Sequence, residues 1–295
     1  MREIVYLNGE FVDRADAKVS VEDRGYQFAD GVYEVIRFHG HRGLRLDEHL
    51  VRLGESAAHL RIQGAPDAEQ WHGIIATLIE KCGFPDEDSQ VNALYIQVTR
   101  GAIARNHTFP KSPIPPALVA YFRPAPVYSA EVRNTGVGLL SYPDERWNRC
   151  FIKSVCLLPA ILAKQAAADA GAFEALLVRE NGTVTEGGST NTYCVIDGTI
   201  YTHPKGPHIL AGITRQMVLE AAERAGIPVK EEAVTLDRFR KAQEAFISST
   251  TMDIMPVTKL DDQPIGTGQI GPVVQKLVAA FNEILHEEIG RKVSA

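Results

Sequence analysis

Three dipeptides constrain this chain more than any other feature: Asn8-Gly9, Asn181-Gly182 and Asp197-Gly198, each set between apolar or β-branched runs. Both residues of such a pair tolerate positive φ, which the tight turn of a hairpin requires, so each predicts two antiparallel strands. The chain therefore opens in sheet over Tyr6 to Val12, and hairpins recur over Glu174 to Thr185 and around Asp197. Another is expected where Val32 to Phe38 turns through Gly40 to Gly43, with His39 and His41 at the tip, into Leu44 and Leu46. Helical spacing follows at Leu50, Leu53, Ala57 and Leu60, with Asp47 as the expected cap. Asp67-Ala68-Glu69-Gln70 resembles a capping box and opens a helix running to Cys82-Gly83. Further strands are read at Val91 to Thr99, Ala117 to Phe122 and Gly136 to Leu140, and helices near Leu157 to Ala170, Ile213 to Ala225 and Pro272 to Ile289. Because the strands come in hairpins and the helices do not alternate strictly with them, the pattern predicts an α+β fold and not a doubly wound parallel sheet.

At 295 residues and roughly 150 residues per domain, two domains are expected. Pro124, Pro126, Ser129 and Asn134 give the stretch from Arg123 to Gly136 turn composition without apolar period, which predicts a small α/β domain over 1–122, a linker over 123–136 and a larger domain over 137–295. The net charge of −6 with both signs mixed along the chain offers no basic stripe for nucleic acid. Met1-Arg2-Glu3 puts charges where a signal peptide needs an apolar run, and no segment approaches a membrane span, so a cytoplasmic protein is expected. Cys82, Cys150, Cys156 and Cys194 lack zinc or disulfide-framework spacing, and the nine histidines include no H-E-x-x-H pair, so we expect reduced thiols and no metal. Gly266-Thr267-Gly268-Gln269-Ile270-Gly271 matches a dinucleotide-binding pattern. Too few residues follow it for a βαβ unit, so it reads as a loop before the last helix.

Three segments suggest an anion site. Leu210-Ala211-Gly212-Ile213-Thr214-Arg215 lies where a helix begins, so free backbone N–H groups and the positive dipole end face a phosphate. Ser248-Ser249-Thr250-Thr251 closes a strand with four hydroxyls, and Arg52 is a charge partner. Singly, each is better explained by a structural role: a helix cap, a strand-end turn and a solvated arginine respectively.

Glu22 to Glu34, Ile152-Lys153-Ser154, Thr183-Val184-Thr185-Glu186-Gly187 with Asn191, and Leu210 to Arg215 resemble the motif series of fold-type IV pyridoxal-phosphate enzymes, in family order and across nearly the whole chain. Arg100 to His107 resembles the R-x-H signature of the D-amino-acid aminotransferases within that family. The resemblance implies a two-domain fold whose larger domain binds pyridoxal 5'-phosphate, with Lys153 as the catalytic Schiff-base lysine. An amine is needed there because it condenses with an aldehyde and then shuttles a proton, which an always-protonated arginine cannot do. Glu186 is implied at the pyridine nitrogen, where a carboxylate favours the protonated ring. Arg52, Leu210, Gly212, Ile213, Thr214, Ser249 and Thr250 are implied in cofactor binding, and Arg146 or Arg149 near the phenolate oxygen. Tyr33, Arg105, His107 and Thr251 are implied in binding the substrate, whose carboxylate suits charge-assisted hydrogen bonds.

The activity so implied is ping-pong transamination between a D-amino acid, such as D-alanine or D-glutamate, and a 2-oxo acid, such as 2-oxoglutarate or pyruvate. The family's dimers bring the R-x-H loop from the partner, which implies a homodimer. Gly188 stands where relatives often have serine, and Cys156 where asparagine is frequent. The alternatives are a branched-chain L-amino-acid aminotransferase, an aminodeoxychorismate lyase or a non-catalytic phosphate-ligand-binding relative. Arg105 and His107 argue against the first two, and Lys153 with Glu186 against the last.

Overall fold

The computed structural model describes residues 2–87 and 90–290. The chain forms two compact units: one takes the chain up to Ala125 together with Ile152–Cys156, the other takes Pro126–Phe151 and Leu157–Gly290.

The first unit contains β1 (Ile4–Leu7), β2 (Glu10–Asp13), α1 (Arg24–Phe28), β3 (Gly31–His39), β4 (Arg42–Gly43), α2 (Leu46–His59), α3 (Ala68–Cys82), β5 (Val91–Thr99) and β6 (Ala117–Pro124). Its strands form one antiparallel sheet in the order β2-β1-β6-β5-β3-β4. Asn8 and Gly9 take φ values of 50° and 101°, as the turn chemistry requires. Helices α2 and α3 pack on the sheet and bury Leu53, Trp71 and Leu78 in a core shared with Ile36, Leu94 and Ile96. The capping box at Asp67 and Gln70 is formed. Asp47 does not cap α2: Arg45 holds that position in the left-handed region, and Asp47 lies in the first turn, bonded to His72 of α3 at 2.7 Å. The second hairpin is shorter than expected, because Leu46 already belongs to α2.

The second unit contains α4 (Ala130–Thr135), β7 (Val137–Pro143), α5 (Leu158–Asp169), β8 (Glu174–Val178), β9 (Val184–Gly187), β10 (Asn191–Ile196), β11 (Thr199–Thr202), α6 (Ile213–Arg224), β12 (Val229–Glu231), α7 (Leu236–Arg240), β13 (Glu244–Ser249), β14 (Asp253–Leu260), β15 (Gln263–Pro264) and α8 (Pro272–Gly290). Its sheet runs β12-β11-β10-β13-β14-β7-β8-β9, with β15 on β14. Hairpins supply the antiparallel pairs except β10 with β13, which are distant in sequence, while β7 joins β14 and β8 in parallel, as does β11 with β12. Strand β9, at one end of that order, also packs against β10, so the sheet curls back on itself. Its core gathers Leu176, Cys194, Ile247, Met255 and Phe239. Helix α6 packs on α8 and β13.

Two features lie outside the linear domain reading. The stretch 123–136 holds the end of β6 and helix α4, capped by the Ser129 hydroxyl accepting from Val132 N–H. The segment around Lys153 belongs to the first unit, where Ser154 bridges Val32 of β3. The glycine-rich decoy is a loop into α8, and the α8 N-terminus is filled from within: the Glu244 carboxylate accepts from Val273 and Val274 N–H at 3.1 and 2.8 Å.

Candidate active site

In the second unit the site is built around Glu186, placed on β9 by the Asn181-Gly182 hairpin and 5% exposed. Its carboxylate accepts from Arg146 Nη1, from Asn191 Nδ2 at 3.0 Å and from the Leu210 backbone N–H at 3.1 and 3.2 Å. Arg146 is shared: its Nε and Nη2 donate to the two oxygens of Asp144 at 2.9 and 3.0 Å. Burial raises the Glu186 carboxyl above its ordinary range, Arg146 only partly offsets this, and Asp144 adds to the rise. Asp144 itself is held low, because Arg146 and Thr185 outweigh its burial. Of the two arginines the sequence left open, Arg146 meets Glu186 while Arg149 is exposed. Asp144 carried no sequence signal, and the bond that the Thr185 hydroxyl donates to it at 2.8 Å appears only once β7 and β9 are folded.

The loop between β11 and α6 is tied into this cluster. Pro207 O accepts from Cys150 N–H at 2.8 Å, His208 O from Arg146 at 3.1 Å and Leu210 O from Asn191 at 2.9 Å. Gly212 is the N-cap of α6, with no side-chain cap bond. A Cβ there would stand 2.2 Å from Asn191 Oδ1, so glycine is required for Asn191 to reach Glu186 and Leu210. The first-turn N–H groups of Ile213 and Thr214 thus lack a side-chain cap, the arrangement that receives a phosphate. Helix α6 packs against β13, which ends at Ser249, with Thr250 and Thr251 half-buried in the following turn.

In the first unit, Lys153 is paired with Tyr33: its carbonyl accepts from Tyr33 N–H at 3.0 Å, and its Nζ lies 4.5 Å from the Tyr33 ring centroid. The Ser56 hydroxyl accepts from Lys153 N–H at 3.2 Å. Beside Tyr33, Glu34 is fully buried and forked by Arg52, Nε to Oε1 at 2.7 Å and Nη2 to Oε2 at 2.9 Å, while His49 Nδ1 donates to Oε2 at 2.7 Å. Burial would raise this carboxyl, but Arg52 and His49 prevail and hold it at about 2. Arg52 is thus oriented by Glu34, a partner that the sequence reading missed. Arg105 and His107 lie in the exposed loop after β5 and both rest against the Phe28 ring.

The donor set of the second unit fits a phosphorylated pyridine: an uncapped helix N-terminus for the phosphate, and a buried carboxylate short of cationic charge for a protonated ring nitrogen.

Comparison with known proteins agrees. The class IV amino-transferase family matches residues 31–260. The chain is 40% identical over 283 residues to the D-alanine aminotransferase of Staphylococcus aureus (strain MW2), covering 96% of this chain and 98% of that one. It is 42% identical over 284 residues to the D-alanine aminotransferase of Bacillus licheniformis, with 96% and 98% covered. Among solved structures, the branched-chain amino acid aminotransferase of Escherichia coli superposes with a TM-score of 0.88 at 26% identity, covering 98% of this chain and 96% of that one. A second branched-chain amino acid aminotransferase, solved with pyridoxamine 5'-phosphate, gives 0.87 at 28% identity, covering 99% and 96%. On sequence along nearly its whole length, and on fold, the chain belongs to the class IV amino-transferase family.

Proposed function

We propose that this chain is a pyridoxal 5'-phosphate-dependent D-amino-acid aminotransferase, exchanging the amino group of D-alanine or D-glutamate with 2-oxoglutarate or pyruvate by a ping-pong mechanism. The observation that carries this reading is the Glu186 carboxylate, buried and held by Arg146, Asn191 and Leu210, in a chain about 40% identical to D-alanine aminotransferases.

When bound, the cofactor supplies an aldehyde that condenses with amines and a ring that accepts the Cα electron pair. With the cofactor bound, Lys153 Nζ would hold its aldehyde carbon and would be the group that moves the substrate Cα proton. Glu186, held by Arg146, would keep the ring nitrogen protonated. Backbone N–H groups of Ile213 and Thr214, the hydroxyls of Ser249 and Thr250, and Arg52 oriented by Glu34 bind the phosphate. Tyr33, Arg105, His107 and Thr251 receive the substrate, and orientation of its carboxylate decides whether the Cα hydrogen or the side chain faces Lys153.

The enzyme works as a homodimer in which the partner supplies the loop of Arg105 and His107, in keeping with their exposure in the single chain. We place it in the cytoplasm, in keeping with four unpaired cysteines. No helix among the described residues is long and apolar enough to cross a membrane.

A panel of D- and L-amino acids with 2-oxoglutarate tests the reaction. Turnover of D-alanine or D-glutamate far above the L-enantiomers is expected, whereas preference for L-leucine or L-valine would move the enzyme to the branched-chain class. Borohydride reduction of the holoenzyme should place the pyridoxyl label on Lys153, and a label on another lysine would remove that assignment.

A further inference from the structure

Residues 101–110 leave β5 without a helix or named strand, and Arg105, Asn106, His107 and Thr108 are all exposed. Such a loop has no helix or ladder of its own to fix its side chains, whereas a carboxylate held by two side chains needs them at a fixed separation. One buried side chain supplies the constraint. Arg24, the first residue of α1, is 3% exposed. Its backbone N–H donates to Gly101 O at 3.0 Å, its Nε to Asp30 Oδ2 at 2.8 Å, and its Nη1 to Asn106 O at 2.5 Å. Asn106 lies between Arg105 and His107, so this carbonyl is the backbone point that sets their spacing.

The same guanidinium covers the Phe28 ring at 4.8 Å from its centroid, Arg105 covers it at 4.8 Å, and the His107 ring packs 5.3 Å away. Phe28 follows Arg24 by four positions, so α1, short as it is, presents both to the loop. Arg24 is fixed in turn. Asp30 accepts a fork from Arg100, Nε at 2.7 Å and Nη2 at 2.8 Å, and Arg100 also donates to Arg61 O and Leu60 O at 3.0 and 2.7 Å. The guanidinium of Arg100 lies 3.6 Å from the Phe109 ring centroid, which anchors the far side of the loop.

We propose that Arg24, with Phe28 as its platform, is the positioning residue of the substrate-carboxylate loop, setting affinity for amino-acid and 2-oxo-acid carboxylates without touching the reacting atoms. This rests on the carboxylate role assigned above to Arg105 and His107. The mechanism is mechanical: the Asn106 carbonyl is pinned, and the two side chains flanking it lie on one ring.

Arg24→Lys tests it in the holoenzyme. A lysine keeps a cation beside Asp30, but its single ammonium lacks the fork that reaches Asp30 and Asn106 together. Asp30 retains the Arg100 fork, so the variant leaves no buried carboxylate unpaired. KM for D-alanine and for 2-oxoglutarate should rise about tenfold, the scale of one lost charge-assisted hydrogen bond, with kcat at saturation within about twofold. Amide hydrogen exchange across residues 103–109 should accelerate. Combined with Arg105→Ala, Arg24→Lys should add little beyond Arg105→Ala alone, because both act through one contact. Phe28→Leu, which leaves the Asp30 network intact, should move KM and exchange in the same direction by less.

Unchanged exchange in the loop, or an unchanged KM where Arg105→Ala alone raises it, overturns the proposal and leaves the carboxylate reading standing. Accelerated exchange with Arg105→Ala kinetically silent overturns the carboxylate reading, and the proposal falls with it.

Discussion

Glu34 in the first unit and Glu186 in the second are both buried carboxylates bonded to an arginine, yet their electrostatics run in opposite directions. Burial pushes both upward. At Glu34, Arg52 answers with a two-point fork and His49 with a third bond, and the carboxyl is held at about 2. At Glu186 only Nη1 of Arg146 is directed to the carboxylate, while its other nitrogens serve Asp144, and the carboxyl stays raised. An arginine contact alone therefore does not fix which way a buried carboxyl is shifted. What separates them is where the rest of the guanidinium goes: Arg52 turns two nitrogens to Glu34, whereas Arg146 turns one to Glu186 and the others to Asp144.

The largest effect should come from breaking the compensated pair. Glu34→Gln leaves the Arg52 charge buried without its carboxylate, and about 3–5 kcal/mol of stability should be lost, read from the denaturant midpoint. The acid limb follows by sign. The folded pKa of Glu34 lies below its ordinary value of 4.5, so its contribution is full above that pH and lost as pH falls toward about 2. Wild-type stability should drop through that window more steeply than the variant's.

Glu186→Gln should do the reverse. Its folded pKa is raised, so ionisation costs the cofactor-free protein stability, a cost absent at low pH that grows as pH rises above the ordinary carboxylate value. The cofactor-free variant should be at least as stable as wild type near neutrality, while the holoenzyme loses about a hundredfold in kcat. A variant destabilised like Glu34→Gln, with kcat intact, would erase the contrast between the two residues.

Asp144→Asn sharpens the comparison with the smallest change. Without the competing carboxylate, Arg146 acts on Glu186 alone and the Glu186 pKa should fall. The acid limb of kcat/KM should move to lower pH, with kcat changed by less than about tenfold. An unmoved limb would show that the shared arginine does not set the Glu186 pKa.

The local chemistry of turns and caps was readable in the sequence, because Asn8-Gly9, Asp197-Gly198 and the Asp67–Gln70 box need only near neighbours. Helix α1 escaped, being too short for a periodic signal, and with it the roles of Arg24 and Phe28. The parallel pairing of β7 with β14 and the return of the Lys153 segment to β3 join residues more than a hundred positions apart, which no local pattern encodes. The site shows the same division. Motifs singled out Lys153, Glu186 and Leu210 to Thr214, while Asp144 and His49 were silent, since each acts through a partner that only the fold brings near.

The central claim is that Glu186, whose carboxyl stays raised despite Arg146, holds the cofactor ring nitrogen protonated. Reconstitution with pyridoxal 5'-phosphate labelled with 15N in the ring, followed by the nitrogen chemical shift across neutral pH, tests it directly. The account predicts a protonated nitrogen in the wild type and a deprotonated one in Glu186→Gln, and an identical shift in the two would contradict it.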